Sequence, residues 1–201
     1  MSEIVLAPAV PLAVGSSGRR GVGWWGLLCV IATESALFAY LLFSYYYFAV
    51  QLGDAWLPGK PPDMKLALPD TLILLCSSAT VWWAERGVRR GGPTGRSRLA
   101  LALTILLGMV FIAIQLLEWR AKPFSITSGP YGSLYFTITG FHMAHVAAGL
   151  VLLLLVLWWS ALGYFDQRRH VPVLVAAAYW HFVDAVWLVV FFTFYVTPRL
   201  W

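Results

Sequence analysis

A chain of 201 residues that is 60% apolar and 11% charged, with a mean hydropathy of +0.75, cannot cover a water-soluble surface with polar groups, so lipid is its expected solvent. The net charge of +5 falls in short clusters between long apolar runs and offers no continuous basic face, which excludes a nucleic-acid partner. In chain order, residues 1–23 read as an N-terminal cytoplasmic tail carrying Arg19 and Arg20. Glu3 and two prolines in place of a basic start and an unbroken apolar run make a cleaved signal peptide unexpected, and the first span is expected to direct insertion. Residues 24–201 read as one domain, an all-α polytopic membrane bundle of five transmembrane helices near 24–50, 69–88, 97–120, 133–161 and 172–197. Each is long enough for a hydrocarbon core of about 30 Å. The punctuation agrees: Pro58, Pro61 and Pro62 fill the first loop, Gly91, Gly92 and Pro93 the second, and Gly129 and Pro130 the third, while Pro172 opens the last helix and Pro198 closes it. Cys29 and Cys76 lie inside apolar stretches without metal or redox spacing and are expected as small core residues.

Charge orients the bundle. Arg19, Arg20, Arg86, Arg89, Arg90, Arg96, Arg98, Arg168 and Arg169 fall on one side of this topology, and Lys60, Lys65, Arg120, Lys122 and Arg199 on the other. The positive-inside rule then puts the N-terminus in the cytoplasm and the C-terminus outside. Trp24, Trp25, Trp82, Trp83, Trp119, Trp158 and Trp159 sit near span ends, the expected aromatic belt at the headgroups.

Ionisable side chains at membrane depth need a partner, a wet cavity or a function. Glu34 lies ten residues into the first span, about 15 Å deep, with no lysine or arginine of another span at its level. It reads either as a proton-handling or lipid-contacting acid or as an acid hydrogen-bonded to a neighbouring helix. His142 and His145 share one face of the fourth span, as do His181 and Asp184 in the fifth. For the histidines the choice is between metal ligation and structural hydrogen bonding, and for the His181–Asp184 pair between a shared proton and a packing brace; bonding and brace weigh more. Gln115 and Glu118 form a further i, i+3 pair close to the outer end of the third span, where water or an interfacial loop can satisfy them. Gly140, Ala144 and Ala148 offer a small-residue stripe for close helix approach.

No phosphate-binding glycine loop, activated nucleophile, dinuclear copper set or inverted repeat of broken helices is present, so the physics points to a polytopic accessory or scaffold subunit. Four segments, in order, resemble subunit III of the cytochrome c oxidase and quinol oxidase superfamily. They are Ile31–Phe38 around Thr33-Glu34-Ser35; Leu75-Cys76-Ser77-Ser78 running into Trp82-Trp83-Ala84; Gly108 through Gln115, Glu118, Pro123-Phe124-Ser125-Ile126 and Tyr131-Gly132-Ser133 to Thr139-Gly140-Phe141-His142-Met143-Ala144-His145-Val146; and Tyr179-Trp180-His181-Phe182-Val183-Asp184-Ala185-Val186-Trp187.

The resemblance implies a cofactor-free accessory subunit of a haem-copper terminal oxidase, part of aerobic respiratory electron transport, with no catalytic residues and no metal of its own. Haem and copper would sit in partner subunits. It further implies packing against catalytic subunit I, with subunit II and small subunits nearby, phospholipid in an interior cleft, and support of sustained proton uptake in a bacterial inner membrane. Glu34 matches the family's carbodiimide-reactive glutamate, and His142, His145, His181 and Asp184 match its internal polar packing. The likeness is to the five-helix bacterial form, which does without the two further N-terminal helices of the seven-helix form, so completion of the cleft is expected to need another subunit. Two alternatives are a nitric-oxide reductase accessory subunit of the same superfamily and a free-standing haem-binding membrane protein using His142, His145 and His181.

Overall fold

The computed structural model describes residues 22–57, 59, 62–91, 94–165 and 170–200; most of the expected cytoplasmic tail lies outside them, as do Arg168 and Arg169. Five helices follow one another: α1 Val22–Leu52, α2 Met64–Gly91, α3 Gly95–Ala121, α4 Pro130–Ala161 and α5 Val171–Phe191. All five are long and apolar enough to cross a membrane, so the chain is an all-helical bundle with the expected five spans. Such a fold follows from the solvent, because within hydrocarbon a helix satisfies its own backbone groups.

Each helix begins one to five residues before its expected span, while α5 ends at Phe191, short of the expected 197, and these differences have local causes. Thr94 caps α3, its Oγ1 accepting from Ser97 N at 3.3 Å while Ser97 Oγ accepts from Thr94 N at 2.8 Å. Proline in the first turn of α4 and of α5 costs no hydrogen bond there. Pro69, expected at the edge of the second span, instead lies inside α2, which begins more than a turn earlier. After α5 the chain widens into a π-turn at Phe192–Val196 and closes in a 3-10 turn at Thr197–Arg199, where Pro198 cannot donate to an α-helical carbonyl.

α2 and α3 form the most extensive helix pair, α5 packs on α2 and α4, and α4 on α3, whereas α1 leans on α4 and α5 with no extended contact to α2 or α3. Trp180 of α5 lies at the centre of the four-helix part, fully buried, with Nε1 donating to Ser77 Oγ of α2 at 2.9 Å. Its ring fills space that only glycine leaves open: a Cβ on Gly108 of α3 would lie 2.6 Å from Trp180 Cη2, and one on Gly149 of α4 would lie 2.9 Å from Cε3. Two turns further on, Trp187 repeats the arrangement, with Nε1 donating to Thr71 Oγ1 at 3.0 Å and the ring edge-on to Phe111 at 4.9 Å.

Two expectations about faces are corrected. Cys29 and Cys76 are exposed on the chain's outer surface instead of packed in its core. Ala144 and Ala148 also face outward, and a Cβ on Gly140 would find only ordinary contact with Trp119 at 3.6 Å, so the close approaches are made by Gly108 and Gly149.

Candidate functional site

Glu34 and His145 meet between α1 and α4, His145 Nε2 lying 2.9 Å from Glu34 Oε2. The backbone carbonyl of Phe141 can only accept, so His145 Nδ1 donates to it at 2.6 Å. That leaves Nε2 facing Glu34 with one proton between the two groups, carried on the acid with a neutral ring or on the ring with a carboxylate. Either arrangement is neutral as a pair, which suits membrane depth. The pair is open on one side, with 30% of the Glu34 side chain and 14% of the His145 side chain exposed. Phe38 closes the other, its ring edge-on to the imidazole at 5.2 Å.

His142 shares a helix with His145 but not its partner. It is fully buried, and because Val183 O can only accept, His142 Nε2 donates to it at 3.2 Å, tying α4 to α5. Phe111 and Trp187 flank its ring at 5.7 and 4.8 Å. His181 and Asp184 both reach Ser78 of α2, and no direct bond joins them. The Ser78 hydroxyl donates to Asp184 Oδ2, so His181 Nδ1 donates to Ser78 Oγ at 3.1 Å, a line of donors running from α5 to α2 and back. The three intramembrane histidines thus meet three different partners, and among the described residues no group of three or more His, Cys, Asp and Glu side chains could hold a metal ion.

Gln115 and Glu118, expected where water or an interfacial loop can satisfy them, are buried toward the C-terminal end of α3, and for Glu118 the partner is the first loop residue. Lys122 Nζ pairs with Glu118 Oε1 at 2.7 Å, the two side chains 8% and 4% exposed. Tyr195, turned inward by the π-turn, donates to the same oxygen, and Tyr135 OH donates to the Tyr195 oxygen at 3.1 Å. The Lys122 ammonium also stands over both tyrosine rings, at 5.1 and 5.3 Å. Arg199 donates to Tyr195 O and, at 2.5 Å, to Pro62 O, closing this end of the bundle.

Sequence reasoning missed three members of these clusters. Ser78 was visible only as part of a motif, though it is the hinge between His181 and Asp184. Lys122 was counted as a loop charge. Asp70, second residue of the expected span 69–88 and not singled out there, is completely buried about 9 Å into α2. Its signal was the helical series Ala67, Asp70, Thr71, Leu74, Ser77 and Val81, all buried on one face of α2.

Comparison with known proteins gives one consistent result. The family model described as cytochrome c oxidase subunit III matches residues 15–198. Cytochrome c oxidase subunit 3 of Scyliorhinus canicula is 36% identical over 178 residues, covering 85% of this chain and 68% of that protein. The subunit 3 proteins of Petromyzon marinus and Pongo pygmaeus are 35% and 36% identical over the same length and with the same coverage.

Proposed function

The chain belongs to the cytochrome c oxidase subunit III family, and from that premise we propose that it is the accessory subunit III of a haem-copper terminal oxidase. In this reading it packs against catalytic subunit I beside subunit II, holds phospholipid, and sustains proton uptake while carrying neither haem nor copper. It would sit in a bacterial inner membrane with its N-terminus cytoplasmic, as the arginine distribution favours.

The observation that carries the proton-handling part is the Glu34–His145 pair. It is a single-proton site between α1 and α4, open to the outside of the bundle on one side. His142 and the His181–Ser78–Asp184 line act differently, binding α5 to α4 and α2 and so fixing the scaffold against which α1 leans. The functional contribution is therefore indirect: the polar interior keeps the bundle in register, and the open acid offers or accepts a proton next to lipid or a partner subunit.

Two experiments test this reading. Affinity purification of the tagged chain from its native membrane in mild detergent is expected to bring down a large haem-copper subunit and oxidase haem bands in a reduced-minus-oxidised spectrum. A chain that emerges alone with a b-type spectrum overturns it. In the purified oxidase, Glu34→Ala is expected to leave initial turnover nearly intact and to shorten the working lifetime, and an unchanged lifetime would remove Glu34 from the mechanism.

A further inference from the structure

We propose that Asp70, Gln115 and Glu118 enclose a hydrated, proton-holding pocket at the end of the bundle where α1 and α3 finish, in which Asp70 exchanges its proton with bulk water by way of Glu118. Three side chains converge there. Gln115 and Glu118 share a face of α3, and in the antiparallel α2–α3 pair Asp70, 21 residues before the end of α2 at Gly91, stands level with Gln115 and Glu118, which lie 20 and 23 residues after the start of α3 at Gly95. Asp70 and Gln115 are completely buried and Glu118 nearly so. Both Asp70 carboxyl oxygens, both polar atoms of the Gln115 amide and Glu118 Oε2 have no hydrogen-bond partner among the described residues. A native interior rarely leaves one such atom unpaired, and a polar cluster of this kind is where buried water is held.

Charge makes the pocket hold a proton as well as water. Glu118 is matched by Lys122 and by the Tyr195 hydroxyl, with Tyr135 behind them, and Arg199 is engaged with Tyr195 O and Pro62 O. Among the described residues Asp70 makes no ion pair, Lys65 being engaged with Asp63, so an ionised Asp70 would be an uncompensated buried charge. A small cation between the two acids is disfavoured because the Lys122 ammonium already occupies Glu118. A proton on Asp70 restores neutrality and supplies a donor that water can relay to Gln115 Oε1 and on to Glu118 Oε2.

Access is built in. A cavity of about 440 Å³ opens between the first and third loops, lined by Leu57, Pro62, Lys65, Lys122 and Phe124 and also by Glu118. Of the three side chains Glu118 is thus the one that reaches this cavity, with only 4% of its side chain exposed.

The test uses the intact complex purified from its native membrane, as wild type, Asp70→Asn and Glu118→Gln, followed by infrared spectroscopy during transfer from H2O to D2O. The difference between wild type and Asp70→Asn is expected to show one protonated-carboxyl stretch that shifts down in D2O. In Glu118→Gln the same band is expected to persist while its shift is delayed several-fold. Absence of the band, or a band that D2O does not move, overturns the proposal. Should Asp70→Asn fail to assemble, a high-resolution map of the wild-type complex must show ordered density between the three side chains, and a pocket without it overturns the proposal equally. The pocket belongs to this chain alone, so its failure leaves the oxidase assignment standing, and an unchanged lifetime in Glu34→Ala leaves the pocket standing.

Discussion

Helices α1 and α5 are both apolar spans, yet 56% of the most apolar stretch of α5 is buried within the chain and only 11% of that of α1. The difference lies in what each presents sideways. α5 sends Trp180 and Trp187 into slots formed by glycine, serine and threonine of the other helices, each indole finding a hydroxyl acceptor. α1 presents Tyr40, Phe43, Tyr47 and Val50 to the outside, all more than half exposed. Its fastenings include the Glu34–His145 bond, the hydrogen bond between Tyr46 OH and Thr193 Oγ1 at 3.1 Å, and the edge-on contact of Tyr45 with Phe194 at 4.9 Å. Lipid solvates leucine as well as another helix does, so apolarity alone gives no reason for helices to associate. Interlocking shape and polar bonds do, and they are concentrated in α2–α5.

The contrast predicts where damage is greatest. Trp180→Ala removes the ring that α2, α3 and α4 all touch and is expected to cost about 3 kcal/mol or more, read as a lowered thermal midpoint of the purified complex in detergent. A loss comparable with that of an α1 surface variant such as Phe43→Ala would mean that the centre of the bundle lies elsewhere. Gly149→Ala comes next, because its Cβ would stand 2.9 and 3.1 Å from two atoms of the same rigid indole. Overpacking of this kind costs about 1–3 kcal/mol, and the double variant with Trp180→Leu should recover part of it. Additive losses in the pair would show that the two residues do not press on one another.

On the α1 side the expected effects are smaller and fall on function before stability. Glu34→Gln keeps a polar group facing His145 but abolishes the single-proton exchange, so the thermal midpoint should barely move while the working lifetime falls as in Glu34→Ala. An intramembrane hydrogen bond contributes about 0.6 kcal/mol on average, well below the packing of Trp180. If Glu34→Gln matched wild type in lifetime while Glu34→Ala did not, the acid would be a structural fastener of α1 and not a proton group.

The number and order of spans were legible because the bilayer restricts every segment to the same length and polarity, and Pro and Gly mark the gaps. The family was legible too, since its motifs lie in order along most of the chain. Which way each helix faces was not. These helices are apolar nearly all round, so a pattern that marks the inner face of a soluble helix is flat here, and Cys29, Cys76 and the Ala144–Ala148 stripe were placed inward when they face out. Pairings across helices were hidden for a related reason. Glu34 and His145 are 111 residues apart, and Ser78 joins two residues more than a hundred positions away. Asp70 stands at the edge of the expected span 69–88, whereas the helix that buries it begins more than a turn earlier, at Met64.

The smallest effect is expected at the entry to α2, where Asp63 accepts from Lys65 N at 3.1 Å and its second oxygen lies 3.2 Å from Lys65 Nζ. The Lys65 backbone N–H first, and then its ammonium, hold the Asp63 carboxyl below the ordinary carboxylate range. A carboxylate depressed in the folded state stabilises above its unfolded value, and that contribution is lost as pH falls through the folded one. Asp63→Asn keeps an acceptor for the helix N-terminus and removes only the charge. Wild type and variant should therefore differ slightly in thermal midpoint at neutral pH and converge in acid. Because the Lys65 and Asp63 side chains are 87% and 66% exposed, salt should erase the part due to the ion pair. A difference that survives salt and approaches that of Gly149→Ala would show that this loop, open in the isolated chain, is covered by a partner subunit in the assembled complex.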